Sequence, residues 1–250
     1  MTARVAAVAL TALLLFPRSV AVGAAAAQSP IESARALLAA WHLEPAQIDR
    51  ARDLLVTAAR ERPDPETLVE LARVWFLVGD HRSASRDARL AAYERGRDAA
   101  KQAVEAVPGS DRAHVWYAIN LGRWAETRGF LRALFTLSTV QEEAETVLRL
   151  NPDSIEGLTL AGSLAFEVPG LLGGDRAKAE EYFRKALRLD PRRTGVRLQV
   201  ARLYVATRRW GEARQELRRI LDERAPTDLP RWTTREVPDA RALLESIRDR

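Results

Sequence analysis

Apolar residues recur at the 3.6-residue spacing of an α-helix along most of the chain, and prolines separate the periodic segments. In residues 46–62, for example, one helix face carries Ile48, Ala51, Leu54, Leu55 and Ala58. Proline cannot continue a helix, so the periodic segments are predicted to end near five prolines: Pro63, Pro108, Pro152, Pro191 and Pro226. No useful length of chain alternates with a period of two, so the sequence predicts an all-α fold without sheets.

The same signals give the approximate bounds of several helices. We predict helices over residues 30–41, 46–62, 83–107 and 238–250. Asp64 is suited to cap the N-terminus of a further helix, in which Pro65 would take the first position. Gly79 and Asp80 are expected to form the turn that follows this helix.

Residues 153–191 carry the clearest motif of the chain. Their second half has the spacing A-x3-F-x2-A-x4-P, formed by Ala179, Phe183, Ala186 and Pro191. The small alanines let a neighbouring helix approach, Phe183 fills the gap between helices, and Pro191 ends the helix. This spacing is typical of the second helix of a tetratricopeptide repeat, a helix–turn–helix unit of about 34 residues. The loop VPGLLGGD at 168–175 makes this unit longer than usual.

The five prolines also mark the repeating units. The interval between successive prolines shortens from 45 to 35 residues, so the early units are expanded and the last is nearly regular. Helix pairs that cannot bury their apolar faces alone must stack on one another. Residues 28–250 are therefore predicted to form one domain, a tetratricopeptide-repeat-like right-handed superhelix of stacked antiparallel helix pairs with a concave side.

Residues 1–27 have the features of a secretory signal peptide. Arg4 supplies the positive charge, residues 5–16 form the apolar core, and three alanines at 25–27 offer a cleavage site before Gln28. The apolar core is too short to span a bilayer, which takes about 20 residues. The sequence contains no cysteine. This excludes both a lipid-modified cysteine and a disulfide bond within the given sequence. We therefore predict an exported, periplasmic protein; an uncleaved or wrongly started N-terminus is the alternative.

Charge and composition argue against several function classes. The net charge is +5, but arginine alternates with acidic residues along nearly every helix, which is typical of solvated helix faces rather than of a nucleic-acid interface. The three histidines, His42, His81 and His114, lie far apart and have no acidic partner at a metal-ligand spacing. No nucleophile motif or phosphate-binding loop is present. We predict a protein that is not an enzyme and that holds no metal or cofactor.

The concave side of the superhelix is the candidate binding surface. Repeat positions 2, 5, 9 and 12 of the first helix in each pair are expected to line it, counted from Pro65, Asp111, Ile155 and Thr194. These positions supply the apolar residues Val69, Phe76, Val115, Ile119, Phe166, Leu198 and Val205, together with Arg73, Arg112 and Arg202. Such a surface suits an apolar ligand, or a protein segment, that bears an anionic end.

Two alternatives to this interpretation stay open at the level of sequence. The groove could be filled by the chain's own N-terminal or C-terminal helix, in which case its apolar residues are ordinary core. The aromatic cluster is likewise compatible with core packing or with a binding site, and consists of Trp116, Tyr117, Trp124 and Phe130.

Four segments resemble the T-component family of TRAP transporters, TatT: HVWYA at 114–118, LGRW at 121–124, the loop at 168–175, and TGVRLQVARLYV at 194–205. The H-x-W-Y-A segment is also similar to the regulators of microtubule dynamics, but a bacterial-type signal peptide argues against that second family. The TatT resemblance implies a periplasmic repeat protein that can form a homo-oligomer and that offers an apolar channel for small organic ligands. The family-type positions are Trp116, Tyr117, Gly122, Arg123, Trp124, Pro169, Gly173, Gly174 and Asp175.

Three functional hypotheses follow. In the first, which the TatT resemblance implies, the protein is a scaffold that docks the periplasmic solute-binding subunit of a TRAP transporter. In the second, it is a carrier that holds a small apolar or anionic organic ligand in the concave groove. In the third, it is a general assembly scaffold for envelope proteins. Members of the TatT family are often lipoproteins, and because this chain has no cysteine we expect a soluble form.

Overall fold

The computed structural model describes residues 29–250, and every regular element within them is helical. The first half contains α1 (Pro30–Ala39), α2 (Gln47–Glu61), α3 (Pro65–Leu77), α4 (Arg86–Ala106), α5 (Asp111–Arg128) and α6 (Phe130–Leu150). The second half contains α7 (Ile155–Glu167), α8 (Arg176–Leu189), α9 (Thr194–Ala206), α10 (Trp210–Asp222), α11 (Leu229–Arg231) and α12 (Val237–Ser246). The predicted all-α, tetratricopeptide-repeat-like superhelix is confirmed. The predicted signal peptide at 1–27 lies outside the described residues and stays a prediction.

The prolines end the helices as the sequence predicts. Helices α2, α4, α6 and α8 each stop two residues before a proline, and the intervening residue has an extended backbone, with ψ between 84° and 104°. A residue that precedes proline is disfavoured in the helical conformation, which explains this common ending. Helix α10 differs, because it already ends at Asp222, four residues before Pro226.

The predicted N-terminal cap at Asp64 is present, and Asp175 forms a second cap of the same kind. Asp64 accepts a hydrogen bond from the Thr67 amide and Pro65 occupies the first turn of α3. Asp175 accepts hydrogen bonds from the amides of Ala177 and Lys178 at the start of α8. Each carboxylate satisfies amides that have no partner within the helix, so both residues fix where their helices begin.

Three short segments form non-α helical turns that the sequence did not predict as helical, although it placed a turn at Gly79 and Asp80, within the first of them. A π-helical turn over Val78–Arg82 extends α3, a second one over Trp232–Glu236 joins α11 to α12, and Gly170–Leu172 forms a single 3-10 turn. The last helix therefore runs over Val237–Ser246 at the end of a longer helical segment, instead of over 238–250. These turns carry no apolar periodicity of their own, so the sequence pattern cannot reveal them.

The helices pack in order as antiparallel neighbours and form two main cores. One core joins α1 to α5, and its largest fully buried side chain is Tyr93. The other core joins α7 to α12 around Phe183. A small cluster of Ala118, Leu121 and Val140, against which Leu160 and Leu164 of α7 pack, connects the two halves. Within residues 29–250, no helix is both long and apolar enough to span a membrane.

Asn120 fixes the crossing of three helices in the first half. It is fully buried, and its amide nitrogen donates to the carbonyls of Ala72 and Trp116 at 3.2 and 2.9 Å. Gly96 of α4 faces the same amide so closely that a β-carbon there would clash with it. This polar contact links α3, α4 and α5 and so sets the position of the two helices that form the first part of the concave side.

Candidate binding groove

A groove of about 870 Å³ lies on the concave side of the superhelix. Its walls come from α3, α5, α7 and α9, the first helices of successive pairs, and from the C-terminal segment 228–236. We call this cavity the concave groove. Its volume falls within the range of about 300–1,000 Å³ that is usual for ligand sites.

Apolar side chains from both halves line the concave groove. Phe76 and Trp116 lie side by side with their ring centroids 5.7 Å apart, and Val115 and Ile119 continue this surface along α5. Leu198 contributes from α9 on the opposite side. Phe76, Val115 and Leu198 are buried, whereas Trp116 and Ile119 are only partly buried. The groove can therefore offer apolar contact area to a bound molecule without exposing its whole lining to water.

Most of the predicted lining residues do face the concave groove, but three do not. Arg73, Phe76, Arg112, Val115, Trp116, Ile119, Arg123, Leu198 and Arg202 line it. Val69 is instead buried in the first core, and the partly buried Phe166 and Val205 pack against the second core. The prediction was wrong for these three residues.

The errors have two physical reasons: position 12 lies off the groove face of α7 and α9, and α1 covers the start of α3. In α5, α7 and α9 the groove is lined by repeat positions 2, 5 and 9, so position 12, where Phe166 and Val205 lie, points away. In α3 it is positions 9 and 12 that line the groove, because α1 covers the start of that helix. Arg35 of α1 bonds to Glu66 and Glu70 there.

Glu70 is a buried carboxylate beneath the rim of the concave groove. Its side chain is 2% exposed and lies 2.7 Å from Arg35, 2.5 Å from Arg112 and 3.4 Å from Arg73. Burial by itself would raise the pKa of Glu70, but the surrounding guanidinium groups outweigh burial and lower it. The carboxylate therefore stays ionised and holds Arg73 and Arg112 at the groove.

Asp80 forms a second buried centre that joins the two halves of the molecule. Its carboxylate accepts from Tyr93 Oη at 2.6 Å and from Arg123 at 2.8 Å, and it lies 3.1 Å from Arg235, which is 155 positions further along the chain. Burial would raise the pKa of Asp80, but Arg123, Tyr93 and Arg235 together lower it. Burial of the Tyr93 phenol, together with its hydrogen bond to the charged Asp80, raises the pKa of Tyr93. The phenol therefore keeps its proton and donates it to Asp80 in this hydrogen bond.

The C-terminal segment forms a wall of the concave groove and does not fill it. Glu236 is buried and accepts a hydrogen bond from Thr194 Oγ1 at 2.5 Å, which anchors the segment to α9. Burial raises the pKa of Glu236, and the Thr194 hydrogen bond opposes this effect only in part. Arg202 of α9 is paired in turn with Asp239 at 2.9 Å. The alternative in which a terminal helix occupies the groove therefore does not apply to the C-terminal helices.

The loop residues Pro169, Gly173, Gly174 and Asp175 lie outside the lining of the concave groove. Gly173 has a φ of 99°, and the backbone at Gly174 passes so close to the Val168 carbonyl that a side chain would not fit. Asp175 caps α8. Together these residues shape the turn between α7 and α8, and the structure gives them no contact with the groove.

Two polar atoms at the groove have no protein partner within the described part of the chain. Gln199 Oε1 and Arg123 Nε are buried without a hydrogen bond, although both residues line the cavity. Sequence reasoning missed Gln199, and it also missed Asp80, Arg231 and Arg235. The repeat pattern contains no signal for the last two, because they lie in the irregular segment that precedes the last helix.

Comparison with known proteins identifies two families in the sequence. The family model "Regulator of microtubule dynamics protein 1-3" matches residues 36–173, and the model "Tetratricopeptide repeat" matches residues 171–234. Regulator of microtubule dynamics protein 1 of Bos taurus is 26% identical over 152 residues, and that of Pongo abelii is 28% identical over 153 residues. Each alignment covers 55% of this chain and 48% of the relative, so the chain spans about half the length of the curated relatives it matches.

Solved structures resemble the fold. A thermophilic tetratricopeptide-repeat protein of Thermus thermophilus has a TM-score of 0.61 at 22% identity, with 82% of this chain and 98% of that chain covered. The Pseudomonas aeruginosa protein pilF has a TM-score of 0.50 at 17% identity, with 88% and 90% covered. The matched family of regulators of microtubule dynamics is the one to which the H-x-W-Y-A segment is similar, so the expectation against that family was wrong. The comparisons give no support to the TatT resemblance.

Proposed function

This chain belongs to the family of regulator of microtubule dynamics protein 1-3, and we propose that it is a non-enzymatic helical-repeat adaptor that binds a segment of a partner protein in the concave groove. Stacked helical repeats present extended concave surfaces of this kind, and proteins use them for recognition. Because one fold can serve many functions, the proposal is argued from the residues of the concave groove and not from the fold alone.

One observation carries the proposal: apolar side chains and oriented guanidinium groups meet in one open cavity. Phe76, Trp116 and Ile119 offer contact area to apolar side chains of a segment. Arg73 and Arg112 lie beside them, held by the ionised Glu70. A segment with apolar anchors and an acidic group is complementary to this arrangement, because guanidinium groups bind carboxylates with paired hydrogen bonds.

A bulky side chain placed in the concave groove should abolish partner binding. Ser163 lines the groove on α7 and is partly buried, so Ser163→Trp fills the cavity without removing a core side chain. Affinity capture of partners from cells that naturally express the chain should then fall by more than about tenfold, which is the loss expected when about 1.4 kcal/mol of binding free energy is removed.

The matched control is Gln102→Trp, on an exposed position of α4 outside the groove. It should retain its partners as the parent chain does. Equal capture of partners by Ser163→Trp and Gln102→Trp would contradict partner binding in the concave groove. Circular dichroism of each variant verifies that the helical fold is intact.

The identity of the partner is a finer proposal. The solute-binding subunit of a TRAP-type transporter is the partner implied by the TatT resemblance, and it requires the export predicted from residues 1–27. The name of the matched family instead points to microtubules. Two experiments separate these partners. Recovery of a solute-binding subunit by affinity capture in the native host supports the first partner. Co-sedimentation of the purified chain with polymerised tubulin supports the second.

A second function, a carrier of a small organic acid, is favoured by the unpartnered polar atoms at the groove. Gln199 Oε1 would accept a hydrogen bond from a protonated group of a ligand, and Arg123 Nε would donate one to an anionic group. Native mass spectrometry of protein purified from its own cells tests this function. A retained small molecule that is lost in Ser163→Trp supports the carrier, and an empty groove in every preparation contradicts it.

A further inference from the structure

The walls of the concave groove form a closed circuit. Helices α3, α5, α7 and α9 follow one another around the groove, and the segment 228–236 is the wall after α9. Arg235 of this segment returns to the first wall, because its Nη1 donates to Asp80 Oδ2 at 3.1 Å in the π-helical turn that extends α3. The last wall of the groove is thereby joined to the first.

This closing contact differs from the other contacts between neighbouring walls. Apolar clusters join α5 to α7 and α7 to α9. Within residues 29–250, no apolar cluster joins α1–α4 to the residues after α10, and the Arg235–Asp80 pair is the only hydrogen bond or ion pair between these two parts. Units of a helical-repeat superhelix otherwise contact only their neighbours, so this one distant contact sets how tightly the superhelix curves around the groove.

The closing contact has one fixed partner and one mobile partner. Asp80 is 5% exposed and is also bound by Tyr93 and Arg123, so its position does not depend on Arg235. The Arg235 side chain is 42% exposed. Water solvates such a guanidinium when it leaves its partner, and the pair therefore contributes little free energy. It is the link of the circuit that opens most readily.

Arg235 has a second carboxylate within reach. Its Nε lies 3.9 Å from Asp239 Oδ2, four positions further along the chain, and side chains with this spacing are neighbours on a helix. The backbone on either side of Arg235 is held by Trp232, which bonds to α10, and by Glu236, which bonds to α9. Rotation of the Arg235 side chain alone can therefore exchange Asp80 for Asp239.

The other charged groups near the closing contact do not replace Arg235. Burial lowers the pKa of His81, which leaves this imidazole neutral at neutral pH. Arg231 lies 3.9 Å from Glu236, and Asp228 accepts a hydrogen bond from the Arg231 amide. Closure of the circuit therefore depends on where the Arg235 guanidinium lies.

We propose that Arg235 is a latch that closes the superhelix around the concave groove, and that its exchange from Asp80 to Asp239 lets the groove widen between α3 and the C-terminal segment. In the closed state an occupant is encircled and passes only through the ends of the circuit. In the open state a bulky occupant enters or leaves from the side. This inference concerns access to the groove and does not depend on what the groove binds.

The absence of cysteine from the sequence permits a direct test of access in the full chain. Ser163→Cys places a single thiol in the concave groove, and Gln102→Cys, at an exposed position of α4 outside it, is the matched control. Each thiol reacts with N-ethylmaleimide and, in a separate sample, with a maleimide that carries a bulky polyethylene glycol chain. The ratio of the bulky to the small reagent's rate measures how wide the opening is.

Arg235→Gln should raise this rate ratio at position 163 by about fivefold, which corresponds to about 1 kcal/mol for the lost ion pair, and should leave the ratio at 102 unchanged. Asp239→Asn should lower the ratio at 163, because Arg235 then has Asp80 as its one carboxylate. A substitution that merely loosens the fold cannot slow the bulky reagent, so this second variant separates the latch from general destabilisation.

Three results would overturn the latch: an unchanged ratio at position 163 in Arg235→Gln, an equal rise at position 102, or a ratio at 163 that Asp239→Asn does not lower.

Discussion

Replacing Phe183 by alanine is expected to lower the free energy of unfolding by about 3–5 kcal/mol. The Phe183 ring is fully buried in the second core, and it lies so close to Gly162 of α7 that no β-carbon would fit there. Neighbouring helices cannot fill the space of a lost phenyl ring without moving their backbones, so most of the cavity should persist.

Urea unfolding followed by circular dichroism measures this change. Leu189→Ala, on the 43% exposed side chain at the end of the same helix, is the control and should cost less than about 1 kcal/mol. A change near zero for Phe183→Ala would show that the repeat phase assigned to α7 and α8 is wrong. A lower slope of the transition would indicate that the two halves unfold separately.

Replacing Asp80 by asparagine is expected to cost roughly 2–4 kcal/mol. Removal of the carboxylate leaves Arg123 and Arg235 without their shared partner, which typically costs about 3–5 kcal/mol for a buried pair. Both arginine side chains are about two-fifths exposed, at 39% and 42%, so water recovers part of the loss. The same change should loosen the C-terminal segment, because Arg235 holds it to the end of α3.

The cost of Asp80→Asn should also depend on pH. The folded structure lowers the pKa of Asp80, so its contribution is fully present above the unfolded value of about 4 and is lost as pH falls through the lower folded value. The difference in unfolding free energy between the parent chain and Asp80→Asn should therefore shrink on acidification. Asp53→Asn, at a 70% exposed side chain, is the control; a difference for Asp80→Asn that does not vary with pH would contradict this role.

The regular part of the fold could be predicted from local sequence because its signals are local. Proline ends α2, α4, α6 and α8 two residues before its own position, and the carboxylate of Asp64 caps the start of α3. The spacing of Ala179, Phe183 and Ala186 likewise places all three in the fully buried second core. Each of these features depends on neighbours within one helical turn or one hairpin.

The candidate site was predictable only in part because the repeat positions that line the groove in α3 differ from those in the other three units. Repeat position 9 faces the groove in all four units, as with Arg73 and Ile119, whereas position 12 does so only at Phe76. Variation of this kind between units is not contained in a fixed repeat template. The wall formed by Arg231 and Arg235 was missed because it comes from outside the repeats.

Charge pairing across long sequence distances was the other feature that sequence could not supply. Asp80 and Glu70 looked like ordinary polar positions of a helical segment, yet their side chains are 5% and 2% exposed and hold the groove arginines in place. No local pattern relates Asp80 to Arg235. Their contact follows from the curvature of the whole superhelix.

Photo-cross-linking from inside the concave groove tests most directly whether this surface binds a partner. A benzophenone amino acid replaces Gln199, which lines the groove, or Gln102, which is exposed on α4 outside it. The groove assignment predicts that irradiation of cells that naturally express the chain gives a discrete protein adduct from position 199 and none from position 102. No adduct from 199, or the same adducts from both positions, would contradict it.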